Sequence, residues 1–393
     1  MKILIIDDQQ LVLLSLEKAL TDLGYEVHSA ENVSDAIISY DNLQPNLVIV
    51  DINLSGKTDS LDAVETSSGL EVVKYIRQEK QDNTTKVMVL SGNTDEEIIV
   101  KGFDLGIDDY MKKPLSLSEI GARVKRLIGS NLNVKSPNIT SEKPSEQYIQ
   151  NKCIGIVIPC YNEEERLLGE EFKSFTRKNL GYHLCFVNDG SKDRTLEVLH
   201  ELSKGREDYI SVYDCEKNGG KAEAVRLGML HLAKQSQFDY IGFLDADLST
   251  NFDDFVDLAD TITNSKYKLV FGSRMARMGA DITKQSARAI ISKTINFIIR
   301  KILGMDINDT QCGAKIMTKD VIEKTFQEKF ITQWIFDVEI FMRMKKIYGT
   351  KQTQELILEK PLNRWIHADG SKLSMKDSIK IVGQLGQIAV HYR

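Results

Sequence analysis

Two α/β domains in series are what this 393-residue chain predicts, and three observations predict them. Short β-branched runs recur along both halves with helical patterns between them, the signature of parallel sheets covered on both faces. A polar, proline-bearing stretch over 130–150 interrupts that alternation. At roughly 150 residues per domain the length leaves room for two cores, and 42% hydrophobic against 27% charged residues is the balance of an ordinary globular protein. Collagenous, disordered and disulfide-scaffold classes are excluded.

In the first part the runs are Lys2–Ile6, Glu26–Ala30, Leu47–Val50, Val87–Leu90 and Ile107–Met111. Leu11, Leu14, Leu16, Ala19, Leu20 and Leu23 carry helical spacing, and Gly24 supplies a stop. The spacing predicts a five-stranded doubly wound domain over 1–129, with ligands at the carboxyl ends of its strands. Residues 130–150, SNLNVKSPNITSEKPSEQYIQ, lose all periodicity and hold Pro137 and Pro144. They read as a flexible linker whose ends lie on the order of 25 Å apart. Alternation restarts with Ile154–Ile158, Leu184–Val187, Tyr209–Tyr213, Tyr240–Leu244 and Lys268–Phe271, which predicts a second α/β domain over 151–393.

Charge divides unevenly. Residues 1–129 hold 13 Lys and Arg against 22 Asp and Glu, and the remainder holds 38 against 35. An acidic first domain and a faint basic excess in the second do not supply the clustered cations that nucleic acid requires. Five cysteines, at 153, 160, 185, 215 and 312, have no metal-ligand spacing and read as reduced thiols. No apolar run reaches the ~18 residues of a membrane span, and MKILIIDDQQ is no signal peptide. The expected location is the cytoplasm.

The first domain's strand ends carry Asp7 and Asp8, Asp51, Ser91, and Lys113 with Pro114. In a parallel sheet these ends lie side by side, so three carboxylates, a hydroxyl and an ammonium share one crevice. Acids so gathered repel unless a hard divalent cation joins them, which suggests Mg²⁺ held by Asp7 or Asp8 together with Asp51. An aspartate there can attack a phosphoryl donor, with the lysine and the hydroxyl on the transferred oxygens.

Over residues 1 to about 128 this pattern resembles the receiver domain of bacterial response regulators, which have a flavodoxin-like fold. The resemblance implies Asp51 as phosphoacceptor, Asp7 and Asp8 on Mg²⁺, and the Asn53 carbonyl as a further ligand. It also implies Lys113 on the phosphoryl group, Ser91 and Tyr110 as the switch pair, and a cognate sensor histidine kinase as partner. The chain departs from the family in Ser55, where proline is usual, and in reaching Gly69 about ten residues late, through an acidic polar insert.

The second domain opens with a strand followed by Pro159-Cys160-Tyr161-Asn162-Glu163, and its next strand ends in Asn188-Asp189-Gly190-Ser191. Small and acidic residues at such ends suit a nucleotide: the carboxylate accepts from base or ribose, and glycine lets the backbone approach. Lys221, after Gly219-Gly220 and before a helix beginning near Ala222, is placed for a diphosphate. In FLDADLST, Asp245 and Asp247 point to the same side, where Mg²⁺ or Mn²⁺ would bridge them to the diphosphate. A lone DxD is usually a capped turn; four such motifs in order after successive strands are not.

These motifs resemble the GT-A type nucleotide-diphospho-sugar transferase fold of inverting glycosyltransferase family 2, over roughly residues 153 to 375. FGSR at 271–274, DTQCGAKIM at 309–317 and WIFDVEI at 334–340 look like the branch that moves a sugar onto polyprenyl phosphate. DADLST looks closer to members using UDP-glucose than to mannosyl members, where glutamine usually stands at the position of Ser249. A polyprenyl phosphate oxygen is already ionised, so the acceptor needs a positioning cation more than a base; Arg274 is the candidate. The resemblance further implies Asp337, with Glu339, near the acceptor, and Asp309 and Gln311 shaping the same pocket.

Residues 281–304 set Ile290, Ile291, Ile295, Ile298, Ile299, Ile302 and Leu303 at helical spacing among Lys284, Arg288, Lys293, Arg300 and Lys301. A basic amphipathic helix can lie on anionic lipid, where a polyprenyl phosphate is met, and this expects peripheral binding at the inner membrane surface. The same stripe would serve equally to pack on the protein's own core. The sequence therefore predicts a glycosyltransferase modulated by aspartyl phosphorylation, through relief of occlusion, homodimerisation by the receiver face or recruitment to a membrane partner. Alternatives are the same fold acting on another acceptor in envelope or exopolysaccharide synthesis, or a non-catalytic two-component signalling adaptor that binds nucleotide sugar.

Overall fold

The computed structural model describes residues 1–54, 69–92, 96–113, 115–129, 148–274, 281–282, 286–365 and 375–392. The chain divides into two compact units, one of residues 1–153 with 176–181 and the other of 154–175 with 182–393.

The first unit alternates β1 (Lys2–Ile6), α1 (Gln10–Asp22), β2 (Glu26–Ala30), α2 (Val33–Leu43) and β3 (Leu47–Asp51). It continues with α3 (Leu70–Lys74), which runs into a π turn at Tyr75–Glu79, then β4 (Lys86–Ser91), α4 (Glu96–Asp104) and β5 (Asp109–Lys112). A two-residue strand β6 (Leu115–Ser116) and α5 (Leu117–Ile128) follow. The sheet order is β2-β1-β3-β4-β5, all parallel. β3, LVIVD, is buried along its whole length because helices cover both faces. Val50, Val72, Val89 and Ile107 belong to one core cluster. After β1 the chain winds to one side and then crosses to the other, so the crevice opens between β1 and β3. There Ile6 pairs with Val50, which sets Asp7 beside Asp51, and Asp51 pairs with Leu90, which sets Ser91 next along the edge. The fifth strand begins at Asp109, two residues later than the apolar run suggested.

β7 (Tyr148–Cys160), which runs from the first unit into the second, begins inside the stretch read as linker; residues 130–147 lie outside the described residues. Then come α6 (Gly169–Lys178), β8 (Asn179–Asn188), α7 (Thr195–Ser203), β9 (Ile210–Asp214), α8 (Lys221–Ala233), β10 (Tyr240–Leu244), α9 (Phe252–Thr263) and β11 (Leu269–Ser273). The last third holds β12 (Asp281–Ile282), α10 (Ser286–Leu303), β13 (Ala314–Thr318), α11 (Lys319–Thr325), α12 (Phe336–Tyr348), α13 (Thr350–Leu356), β14 (Ile357–Pro361), β15 (Arg364–Trp365) and α14 (Met375–His391).

The strand order is β14-β11-β13-β10-β7-β8-β9. β13 runs antiparallel to both neighbours, β10 and β11. Strand and helix alternation alone gives no sign of this reversed strand. Its start, not its end, lies at the carboxyl edge of β10: Leu244 pairs with Ala314, so Gly313 comes to rest beside Asp245.

The basic amphipathic stretch is corrected in part. α10 starts at Ser286, and Ile295, Ile299 and Leu303 turn into the protein's own core, where α10 packs on α12 and α14. Phe297 is exposed, with the Lys301 ammonium 5.7 Å from its ring centre. No helix among the described residues is long and apolar enough to cross a membrane. All five cysteines are buried and none is in a disulfide.

Candidate functional site

At the first unit's carboxyl edge the Lys113 ammonium lies 2.6 Å from an Asp7 oxygen and 3.0 Å from an Asp51 oxygen, all three side chains being almost wholly buried. Asp7, Asp8 and Asp51 offer ligand oxygens within 4.8 Å of one another. Burial pushes the Asp7 carboxyl up to about 6, and neighbouring Asp51 adds to this while Lys113 opposes it. Burial works against the Lys113 ammonium, but Asp51 and Asp7 outweigh it and hold its pKa above the ordinary value. Three carboxylates against one ammonium in a dry crevice are a donor set that fits Mg²⁺.

The Asn53 amide donates a long 3.4 Å bond to an Asp51 oxygen, and the Lys113 amide donates to the Ser91 carbonyl at 2.8 Å. Ser91 is buried and Tyr110 half-buried. The chain returns at Gly69, whose amide donates to Ile52 O; a Cβ here would lie 1.9 Å from the Asp51 carbonyl oxygen. Only glycine fits against the strand end that bears the phosphoacceptor candidate. Ser55 and the acidic insert through 68, and Pro114, lie outside the described residues.

In the second unit the loops after β7 and β8 are laced together. The Asn162 amide donates to Ser191 Oγ, the Glu163 amide to Thr195 Oγ1, and the Lys192 amide to Asn162 Oδ1. Pro159 lies within β7 and Tyr161 just beyond it, exposed. Burial raises the Glu163 pKa, and the charges of Asp247 and Asp193 push the same way against Arg166.

Asp189 accepts from Gly219 N at 2.7 Å with one oxygen and from Gly220 N at 2.9 Å with the other. The residue read as a base or ribose contact thus shapes the glycine loop ahead of α8. α8 opens at Lys221 itself, and that ammonium is ion-paired with Asp245 Oδ1. Asp245, Asp337 and Asp247 together outweigh burial and hold the Lys221 pKa above its ordinary value. Asp247 is exposed and caps the turn through the Ser249 amide at 3.0 Å. Asp245 is pressed against Gly313, where a Cβ would lie 2.0 Å from its carboxylate. Two carboxylates so close in sequence, one half-buried and one open to solvent, are a donor set that fits a divalent cation.

Arg274 faces Asp309 through a fork: Nε to Oδ2 and Nη2 to Oδ1, both 2.7 Å, while the Arg274 amide donates to Oδ2 at 2.9 Å. Asp309 and Asn308 in turn donate their amides to Glu359 of β14, each at 2.8 Å. The Gln311 amide donates to Asp309 Oδ1 at 3.2 Å. Burial would raise the Asp309 carboxyl, but Arg274 outweighs it and the pKa falls. Asp309 is therefore the seat of Arg274.

Asp337, in the first turn of α12, pairs with Lys315 of β13 at 2.6 Å. Burial raises its pKa against the pull of Lys315 and Lys221. Glu339 is corrected: both its oxygens accept from the Ile331 and Thr332 amides, and one from the Thr332 hydroxyl, so it pins the loop before α12. Lys315, Glu359 and Gly313 were given no role from sequence. Lysine inside an apolar strand, AKIM, was the available signal for the first.

Two family models match the chain: Response regulator receiver domain over residues 3–125, and Glycosyl transferase family 2 over residues 155–326. Among curated proteins, a dolichyl-phosphate beta-glucosyltransferase of Trichomonas vaginalis is 32% identical over 266 residues, covering 61% of this chain and 74% of that one. The Homo sapiens dolichyl-phosphate beta-glucosyltransferase is 30% identical over 257 residues, 62% of this chain and 75% of its own. That of Saccharomyces cerevisiae is 30% identical over 301 residues, 71% and 83% respectively.

Proposed function

The chain belongs to glycosyl transferase family 2 and carries a response regulator receiver domain, and from that premise we propose that it moves glucose from UDP-glucose onto a polyprenyl phosphate under control of aspartyl phosphorylation. That it is a glycosyltransferase stands on the family itself. The observation carrying the finer reading is the cluster at the carboxyl edge of β10, where Asp245, Lys221, Asp337 and Lys315 alternate in charge beside the exposed Asp247. Relatives named for transfer to dolichyl phosphate support the acceptor class.

Asp245 and Asp247 would hold Mg²⁺ or Mn²⁺, which when bound supplies positive charge against the leaving diphosphate. Lys221 adds a second cation at the diphosphate. Pro159, Tyr161 and Glu163 border the nucleoside side, with Asp189 shaping the glycine loop. Arg274, braced by Asp309, draws the acceptor phosphate toward the anomeric carbon, and Asp337 and Gln311 flank it. In the receiver, Asp7, Asp8, Asp51 and the Asn53 carbonyl would hold Mg²⁺, and Asp51 takes the phosphoryl group from a sensor histidine kinase. Lys113 pairs with the phosphoryl oxygens, and Ser91 and Tyr110 register the change. Meeting the acceptor places the enzyme peripherally at a membrane surface, from the cytoplasmic side.

The test is nucleotide release from a panel of UDP- and GDP-sugars with Mg²⁺ or Mn²⁺, with and without a short polyprenyl phosphate, beside Asp247→Ala. UDP release that requires both UDP-glucose and the polyprenyl phosphate, and vanishes in the variant, supports the reading. Release with another donor or acceptor replaces it, and binding without any turnover favours a signalling adaptor.

A further inference from the structure

We infer that Lys315 is a positioning residue of the transferase site, the ammonium that fixes the Asp337 carboxylate relative to Asp245. The inference rests on the reading that Asp245 would hold the metal at the donor diphosphate and Asp337 flanks the acceptor. Lys315 stands mid-strand in β13 and is 0% exposed. An ammonium without water is tolerated only when its donors are met by charge or hydrogen-bond partners.

Its three contacts come from three elements. Nζ lies 2.6 Å from Asp337 Oδ1 on α12 and donates to the Cys312 carbonyl at 2.6 Å, in the turn that carries Gly313. It also stands 5.3 Å from the ring centre of Phe243, on the strand that delivers Asp245. One cation therefore ties the helix bearing one carboxylate to both the strand and the glycine that seat the other. Lys221 approaches from the open side, paired with Asp245 and in the field of Asp337. A strand AKIM in an apolar layer has no packing need for charge here. Methionine would fill the space and leave both Asp337 and the Cys312 carbonyl without this partner.

The test compares wild type, Lys315→Met, Asp337→Asn and the double variant, by unfolding and by steady-state transfer from UDP-glucose to a short polyprenyl phosphate. The double variant removes both charges together and stays measurable even where Lys315→Met alone fails to fold. Expected is a fall of about a hundredfold in kcat for Asp337→Asn, the scale of a misplaced catalytic contact. The double variant should lie within about twofold of it, with KM for UDP-glucose little changed, because residues acting as one unit do not add. A further hundredfold loss in the double variant would overturn the inference, as would unfolding effects that simply add. A wild type inactive on UDP-glucose fails the functional reading alone. The unfolding cycle needs no donor, and the kinetic cycle is then read on the donor of the panel that turns over.

Discussion

In the first domain one ammonium, Lys113, shares a pocket with three carboxylates, Asp7, Asp8 and Asp51; in the second, two ammoniums, Lys221 and Lys315, stand among Asp245, Asp247 and Asp337. Burial differs as well. Lys113 and Asp7 are wholly enclosed, whereas Lys221 keeps 41% of its side chain exposed and Asp245 26%. A closed pocket with an excess of negative charge fits a small cation. An open edge with two ammoniums among three carboxylates has room for a larger ligand, and a diphosphate there would need a divalent cation to offset the charge. Both pockets also seat their key aspartate on a glycine, but Gly69 presses the Asp51 backbone and Gly313 presses the Asp245 carboxylate.

The sharpest break of this contrast is chemical. Asp51→Asn removes all phosphate incorporation from acetyl phosphate and Mg²⁺, read as mass gain of the intact protein; incorporation that survives moves the phosphoacceptor to Asp7 or Asp8. Next, Lys113→Met leaves two buried carboxylates uncompensated and costs the metal-free receiver about 3–5 kcal/mol in thermal or urea unfolding. Millimolar Mg²⁺ should restore more stability to this variant than it adds to wild type. If Mg²⁺ helps both equally, the charge-excess account is wrong.

Gly313→Ala displaces only a carboxylate, so transfer falls about a hundredfold while the unfolding midpoint barely moves. Gly69→Ala, which must shift a strand end, lowers receiver stability instead. The smallest effect is a difference in sign with pH. Asp7 has its pKa raised to about 6 from 3.8, so the native receiver binds a proton that the unfolded chain releases. Metal-free receiver stability falls as pH rises from about 4 to 6. In the second domain buried His183, held between the Asp208 carbonyl and Ser211, has its pKa lowered, burial first among the causes. There the unfolded chain binds the extra proton, and stability falls as pH drops below 6.5. Unfolding followed by domain-specific probes between pH 4 and 7 should show the two slopes opposed.

The residues that end parallel strands were legible because alternation fixes their side of the sheet: Asp7, Asp51, Lys113, Asp189 and Asp245 all appear at the expected edge. What was hidden depends on strand direction and on pairing over distance. β13 is five residues long, and nothing in AKIMT encodes that it enters the sheet reversed. For that reason the convergence of Gly313 with Asp245, and of Lys315 with Asp337, was invisible. Glu339 and Asp337 look alike on the first turn of α12, yet one faces the site and the other ties a loop; two residues of rotation on a helix separate them. The isoleucine stripe of α10 was ambiguous for a related reason, since a core and a lipid surface ask for the same periodicity.

The place of Glu359 sets an order of assembly. Asp7, Asp8, Asp51 and Lys113 have all been synthesised once Lys113 is made, whereas Arg274 is braced by Asp309, and Asp309 is fixed by Glu359 of β14, much later in the sequence. At about 5–20 residues per second, a ribosome delivers Glu359 some tens of seconds after α5. A growing chain therefore holds every charge of the first pocket well before it holds the carboxylate that anchors Asp309, so the two pockets are completed at separate times.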